Sequence, residues 1–358
     1  MVDMKKTIIG KEQKERIENW WNFGEQERPL ILCSCKDPEK PALPEIRDLD
    51  EFWNRADAIV EREIQRQDQT LWFGEAVPYH YPEFGAAAMA IMLGAGKQYI
   101  KTESIWAVER FDALDQLSDI SLDANRAFYD LVWKTMEKSL ELSEGHHILG
   151  VYCLGSPLDT LAGLMGTEKA LLSLVSDPAM AKQVLDAILG FQLSEFEKYI
   201  DLLRSNGFDY STNWYGLWCS GRGAAIQEDC SCMISPDAYE KFCLPYVKAT
   251  IERMDHSFYH LDGFDAVRHL PVIRQLPELK VIQWTPGINN EDLALSLEVI
   301  RNILLSSKSC YLYARAEEIP MLVREFGPRG LCINVTNASY ETSCRLADEY
   351  KLNVYHDG

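Results

Sequence analysis

Short apolar runs alternate with helical patterns from about residue 145 to about residue 340. The runs are rich in β-branched and aromatic residues and are bounded by polar or glycine-containing segments, which is typical of buried β-strands. They lie at residues 147–154, 208–213, 257–262, 280–284, 309–314 and 330–335. Regular alternation of strand and helix predicts a parallel sheet covered by helices.

The segments between these strands carry the signals of helix starts. Asp177-Pro178 and Ser235-Pro236 each place an N-cap side chain before a proline, which lacks the N–H that a first helical residue leaves unpaired. Nearer the N-terminus, residues 10–28 and 50–68 have apolar positions spaced by three and four, which predicts amphipathic helices.

We expect one α/β domain over residues 1–358, a (β/α)8 TIM-like barrel with an N-terminal helical extension at about residues 1–70. The most regular part of the barrel is expected at about residues 145–340. A doubly wound open sheet is the alternative, but its dinucleotide-binding fingerprint is missing from the sequence. Gly94-Ala95-Gly96 is too short and lacks the third glycine.

The formal net charge of −19 over 358 residues argues against a nucleic-acid partner, because phosphates need a basic surface. The sequence has no apolar run of the roughly 18 residues that a membrane span needs. Residues 1–22 are charged and lack the apolar core of a signal peptide. We therefore expect a cytoplasmic protein with no membrane partner, whose ten cysteines are thiols.

The sequence Tyr259-His260-Leu261-Asp262-Gly263 ends one of the predicted strands. His260 and Asp262 stand two residues apart, so their side chains point to the same face of the strand. The C-terminal ends of barrel strands converge on one mouth, where active sites lie. We interpret this pair as candidate catalytic acid–base or metal-binding groups. A buried pair that is satisfied by hydrogen bonds and has no catalytic role is the alternative.

Several aromatic and polar residues are candidates for contacts with a small-molecule substrate, because they follow predicted strands or lie in a loop rich in glycine and proline. Asp229 closes one strand-end loop and could orient the substrate or act as a base. Arg222 is a candidate contact for a carboxylate. For most of these residues, packing is an equally good interpretation. The other candidates are Trp72, Glu75, Tyr79, Trp214, Tyr215, Gln227, Gln283 and Trp284.

Four blocks of sequence, in order, resemble the uroporphyrinogen decarboxylase superfamily, which includes zinc-dependent, corrinoid-linked methyltransferases. The resemblance covers about residues 70–350 and implies a (β/α)8 barrel. The blocks are Gly155-Ser156-Pro157-Leu158 with Leu164-Met165-Gly166-Thr167-Glu168, then Ser176-Asp177-Pro178, then Asp229 and Met233-Ile234-Ser235-Pro236 with Phe242 and Pro245, and last Tyr259-His260-Leu261-Asp262-Gly263.

The methyltransferase branch is the better match within this resemblance. The decarboxylase branch holds a substrate with many carboxylates through an arginine-rich N-terminal stretch, whereas Arg28 is the one basic residue of the corresponding stretch here. The methyltransferase branch binds zinc through a His-x-Cys pair and a later Cys. The resemblance therefore implies zinc ligands at His260 and Cys332, with Asp262 in place of the middle Cys. Zinc accepts a carboxylate oxygen.

The first interpretation is an enzyme that moves a methyl group between a small methylated substrate, or a thiol, and a corrinoid protein, with zinc assistance from His260, Asp262 and Cys332. The cobalamin-type cofactor would sit on the partner protein, because this chain lacks the Asp-x-His-x-x-Gly corrinoid motif. Two alternatives stay open. One is a metal-free decarboxylase or lyase on a small carboxylic acid, with Asp262 and His260 as proton donors. The other is a non-catalytic binding subunit.

Overall fold

A computed structural model describes residues 9–100, 104–117, 125–143, 146–287 and 293–355. The strands β1 to β14 are Leu30–Lys36, Thr70–Gly74, Tyr79–His80, Gly96–Ile100, Ser104–Val108, Ile148–Leu149, Tyr210–Ser211, Cys219–Ser220, Gly223–Gln227, His256–Asp262, Val281–Thr285, Ser309–Ala314, Leu331–Val335 and Val354–Tyr355. The helices α1 to α14 are Lys11–Trp21, Leu49–Trp53, Ala56–Gln67, Ala88–Met92, Arg126–Ser143, Pro157–Met165, Thr167–Ser176, Pro178–Ser205, Pro236–Phe242, Leu244–Ile251, Leu270–Ile273, Leu293–Leu304, Ile319–Phe326 and Tyr340–Tyr350.

Eight strands form the central sheet, in the order β14-β2-β1-β13-β12-β11-β10-β9. The strands from β9 to β13 and β1 run parallel to one another, β2 runs antiparallel to β1, and β14 runs antiparallel to β2. The prediction of an α/β protein is confirmed, and the sheet is mixed, because β2 and β14 add antiparallel pairs to the predicted parallel strands. A closed barrel is not confirmed, because the strand pairing of the described residues leaves β14 and β9 as the two edges of the sheet.

The first 70 residues do not form a purely helical extension. Strand β1 lies inside the sheet and pairs with β13, with Leu30 opposite Cys332. Helix α1 lies at the opposite end of the sheet from the strands' C-terminal ends. The indole N–H of Trp20 donates to the Gly330 carbonyl, which precedes β13, and the Trp21 ring contacts His256 at the start of β10.

Helix starts follow the predicted capping chemistry. The Asp177 carboxylate accepts from the Met180 amide before α8, and the Ser235 hydroxyl accepts from the Ala238 amide before α9. In both helices proline occupies the first turn, where its missing N–H costs no hydrogen bond. Within the described ranges, none of the helices is long and apolar enough to cross a lipid bilayer.

Two buried histidines should make the stability depend on pH. His80 Nδ1 and His147 Nε2 each lie 2.8 Å from the Ser139 hydroxyl, and burial lowers the pKa of both imidazoles from 6.5 to about 3. The native state keeps the rings neutral, whereas an unfolded chain protonates them below about pH 6.5. Their contribution is therefore complete above pH 6.5 and is lost as the pH falls toward 3, by about 2 kcal/mol per histidine at pH 5.

Urea unfolding at several pH values between 7 and 5 measures this loss. The free energy of unfolding of the wild type should fall by about 2 kcal/mol more over that range than that of the His147→Asn variant, which keeps a single histidine of the pair. Equal losses in the two proteins would mean that other groups carry the pH dependence.

Candidate metal and acid–base site

Three potential metal ligands meet where β9 and β10 end. Asp229 is the first residue of the 3₁₀ turn that follows β9. His260 and Asp262 lie in the last three residues of β10. One ligand atom of each residue lies within 4.8 Å of those of the other two. We call these three residues the strand-end cluster. The same-face placement of His260 and Asp262, expected from the strand period, brings both to the carboxyl ends of the parallel strands.

The neighbouring strand fixes the orientation of the His260 ring. His260 Nδ1 is hydrogen-bonded to Gln283 Oε1 on β11, and Gln283 Nε2 donates to the Thr285 hydroxyl at 2.6 Å. An amide oxygen is an acceptor, so Nδ1 carries the ring proton and the lone pair is on Nε2. Nε2 lies 3.9 Å from Asp229 Oδ1. The Trp214 ring packs edge-on to the imidazole, with the centroids 5.2 Å apart.

The two oxygens of Asp229 have different surroundings. Oδ2 accepts a hydrogen bond from Gln227 Nε2 at 3.0 Å, whereas Oδ1 is buried and has no hydrogen-bond partner, although the side chain as a whole is 40% exposed. Burial and the charges of Asp159 and Asp262 raise the pKa of the Asp229 carboxyl well above its ordinary value, and the Gln227 hydrogen bond opposes them. A cation bound at Oδ1 would stabilise the charged carboxylate against the loss of water on burial, and it would also offset the repulsion from Asp159 and Asp262.

Asp159, on α6, holds the turn that presents Asp229. Its two carboxylate oxygens accept from the backbone amides of Asp229 and Cys230, at 2.9 and 2.8 Å. Asp159 was not among the candidates from sequence, because it stands one position after the Gly155–Leu158 block and has the pattern of an ordinary acidic residue in the first turn of a helix. Its partners are backbone groups 70 residues away, so no local pattern could reveal them.

A divalent metal ion fits the strand-end cluster on three counts. His260 directs Nε2 toward Asp229 and has its other nitrogen hydrogen-bonded, which is the usual arrangement of a ligating histidine. Asp229 offers a buried oxygen that has no partner. Together with Asp262, the set is one nitrogen and two carboxylates, which suits zinc and also other first-row divalent metals.

A cleft of about 730 Å³ adjoins the cluster, and its lining includes residues of β5 together with Gln227 and Asp229. The Gln227 amide oxygen also accepts from the Cys153 thiol at 3.5 Å, so its orientation is set from both ends. Cys232 lies in the same 3₁₀ turn as Asp229, where burial and then the charge of Asp262 raise the pKa of its thiol. We call the cleft that is lined by Gln227 and Asp229 the side cleft.

Comparison with known proteins gives a match among solved structures. No protein-family model matches the sequence, and neither does any curated protein. Among solved structures, a methyltransferase from Methanosarcina mazei superposes with a TM-score of 0.61 at 10% sequence identity, covering 95% of this chain and 99% of that one. At this identity the match shows a shared fold over almost the whole of both chains.

Cys332 is not part of the strand-end cluster. It is fully buried on β13, which is three strands from β10 in the sheet order, or roughly 14 Å at the ordinary spacing of parallel strands. Burial raises the pKa of its thiol well above the ordinary value, with Glu75 and Cys310 adding to the shift. The expected ligand set of His260, Asp262 and Cys332 is therefore not assembled, and Asp229 occupies the third place.

Three candidate substrate contacts lie away from the cluster. The strand period turns Trp284 to the opposite face of β11 from Gln283, where its ring packs on Phe264. Tyr215 stacks on Phe258, with ring centroids 4.2 Å apart, in the core. Arg222 precedes β9 and so lies at the other end of the sheet, where its guanidinium bonds Glu197 on α8.

Glu75 is also remote from the cluster, whereas Trp72 and Tyr79 form part of an aromatic wall that leads to it. The Glu75 carboxylate is buried against Arg16, Arg28 and the Ile31 amide at the start of β1. Trp72 packs edge-on to Tyr79. The Tyr79 hydroxyl in turn donates to the carbonyl of Trp214, the residue that contacts His260.

Proposed function

We propose that this protein is a methyltransferase that moves a methyl group between a small substrate and a corrinoid protein, with a zinc ion at Asp229, His260 and Asp262. The observation that carries the proposal is the convergence of one imidazole and two carboxylates at the carboxyl ends of β9 and β10. Catalytic groups collect at this end of parallel strands, and a protein of the same fold is a methyltransferase.

When bound, zinc would act as a Lewis acid on the sulfur or oxygen atom that gives or takes the methyl group. The protein's own groups have separate tasks. Gln283 keeps the His260 proton on Nδ1 and so directs Nε2 toward Asp229. Asp159 holds the backbone turn of Asp229 in place. The Trp214 ring covers one side of the imidazole and keeps water from it.

The corrinoid is proposed to belong to a partner protein. The support is indirect: the chain lacks a corrinoid-binding motif, and its cluster lies at strand ends, a face that a second protein can approach. We also propose that the sheet continues into a closed barrel through the short strands. Backbone hydrogen bonds next to these short strands support this continuation. The Gly150 amide donates to the His80 carbonyl, and the Val151 amide donates to the Thr212 carbonyl.

The test combines metal analysis with a transfer assay. Protein purified without chelator should contain about one zinc per chain, and it should methylate reduced free cobalamin from one of a set of methoxy and methylthio compounds, with the rate falling when a chelator removes the zinc. Protein that takes up no divalent metal even when zinc is supplied would remove the basis of the proposed mechanism and favour the metal-free lyase.

A further inference from the structure

The side cleft combines an apolar wall with negative charge. Its wall is made of small side chains, and its charged lining residues among those the structure describes are three carboxylates, Glu109, Asp159 and Asp229, with no lysine, arginine or histidine. A cavity with this lining favours a cation and disfavours an anion. The small residues are Ala86, Ala87, Ala107, Ala162, Gly163 and Gly166.

Gly163 of α6 and Gly166, the residue that follows α6, keep the cleft wall close to its neighbours. A Cβ at Gly166, where φ is +87°, would come within 1.8 Å of the Glu109 carboxylate, so the glycine allows that charge to sit against the helix end. A Cβ at Gly163 would come within 2.7 Å of the Ala90 Cβ. A side chain at Gly163 would displace Ala90 of α4, and one at Gly166 would strain the backbone and displace the Glu109 carboxylate.

The nearest cations leave the charge of the cleft incompletely balanced. Lys169 lies 3.7 Å from Glu109 but is held more closely by Asp112, at 2.8 Å, outside the lining. The Arg110 guanidinium is turned to the Gly94 carbonyl. If a metal ion neutralises the charge of Asp229, the negative charges of Glu109 and Asp159 remain in the cleft.

Trp106 supplies an aromatic surface at the same place. It is the aromatic residue among the described residues of the lining, it lies on β5, and 64% of it is exposed to solvent. A large apolar side chain exposed beside carboxylates loses contact with water when a ligand covers it, and an indole face attracts ammonium groups. The aromatic ring and the carboxylates therefore select the same kind of ligand by two different interactions.

We propose that the side cleft binds the ammonium group of a small substrate, whose sulfur or oxygen atom reaches the strand-end cluster. The proposal rests on the methyltransferase function proposed above and names the substrate class for it. The ammonium group would lie between Trp106 and Glu109, and the reacting end would lie at Asp229, because all three residues line the same cleft and Asp229 also belongs to the strand-end cluster. The small alanine and glycine wall leaves room for N-methyl groups.

Calorimetric titration with three matched probes tests the charge preference. Choline carries an ammonium group, 3,3-dimethylbutan-1-ol has the same shape with carbon in place of nitrogen, and 3,3-dimethylbutanoate is an anion of similar size. Choline should bind about tenfold or more tightly than the neutral alcohol, and the anion should bind weakest. Added salt should weaken the binding of choline alone. Equal binding of choline and the alcohol overturns the proposal.

Substitutions show whether binding occurs in the cleft. Trp106→Leu and Glu109→Gln should each weaken choline about threefold to tenfold and leave the alcohol nearly unchanged. Tyr340→Leu and Glu317→Gln are the controls, because they change an exposed aromatic ring and an exposed carboxylate outside the lining. Unchanged choline affinity in both cleft variants places the site elsewhere and overturns the proposal.

These measurements do not depend on turnover. Selective binding of choline that is lost in the cleft variants supports the ammonium site even if no methyl transfer is ever detected. Conversely, methyl transfer with a zinc-loaded protein that does not discriminate between choline and the alcohol leaves the proposed function standing and removes the ammonium site. The two proposals can therefore fail separately.

Discussion

On the proposed function, the His260→Ala variant should bind no zinc and should transfer methyl groups roughly 10³-fold more slowly than the wild type. A Lewis-acidic metal contributes several kcal/mol of charge stabilisation in a transition state, and about 4 kcal/mol corresponds to this factor. Asp262→Ala should behave in the same way, since it removes a second member of the strand-end cluster. The measurement is kcat/KM with reduced cobalamin as methyl acceptor, together with zinc content, on the same preparations.

Cys332→Ser is the control that separates this cluster from the ligand set expected from sequence. The substitution should keep zinc and rate near the wild-type values, because the thiol is buried three strands away. Gln283→Leu should have an effect between those of His260→Ala and Cys332→Ser, with a loss of 10- to 100-fold in metal affinity. It removes the hydrogen bond that orients the imidazole but leaves all three ligands in place. Loss of zinc in Cys332→Ser with retention in His260→Ala would contradict the placement of the site.

The strands of the C-terminal half were predictable because their apolar runs are buried on both faces. The expected strand at 309–314 matches β12, and the one at 257–262 differs from β10 by one residue. The period of two within a strand then indicates which residues share a face, so His260 and Asp262 could be placed together from sequence. The predicted ranges 147–154 and 208–213 are longer than the observed strands β6 and β7. The apolar runs continue there into buried segments that do not pair as regular strands.

The third member of the cluster could not be read from the same pattern. The expected strands already place two others between those of His260 and Cys332, but sequence does not show at which level of the sheet each residue lies. The register sets Cys332 opposite Leu30 near the beginning of β1, not at a strand end. Asp229 takes its position from a 3₁₀ turn that Asp159 holds, a contact between residues 70 positions apart.

Glu75 shows a different limit of sequence reasoning. An acidic residue in an aromatic loop is a reasonable substrate contact, and Arg28 is a reasonable partner for an anionic substrate. The structure instead pairs them with one another, where Arg28 Nη2 lies 2.9 Å from Glu75 Oε1. Neither charge is therefore available to a ligand at the strand ends.

Glu75→Ala should lower the free energy of unfolding by about 3 kcal/mol or more, without any direct effect on ligand binding. The carboxylate is fully buried and accepts from Arg16, Arg28 and the Ile31 amide. Its loss leaves two guanidinium groups and a backbone donor without their acceptor. Removing one partner of a buried ion pair costs more stability than the intact pair contributes, because the other charge stays buried and unpaired. Urea unfolding of the wild type and the variant measures the difference.

Glu298→Gln provides the matched comparison, because its carboxylate bonds Arg301 at 2.8 Å with 73% of the side chain exposed. Exposed pairs of this kind contribute at most about 1 kcal/mol, so this variant should unfold within that margin of the wild type. A Glu75→Ala protein that is as stable as Glu298→Gln but has lost its affinity for substrate would show that Glu75 is a ligand-binding residue. The burial of its carboxylate between two arginines argues for the structural role, because a group with all its acceptor capacity used inside the protein has none to offer a substrate.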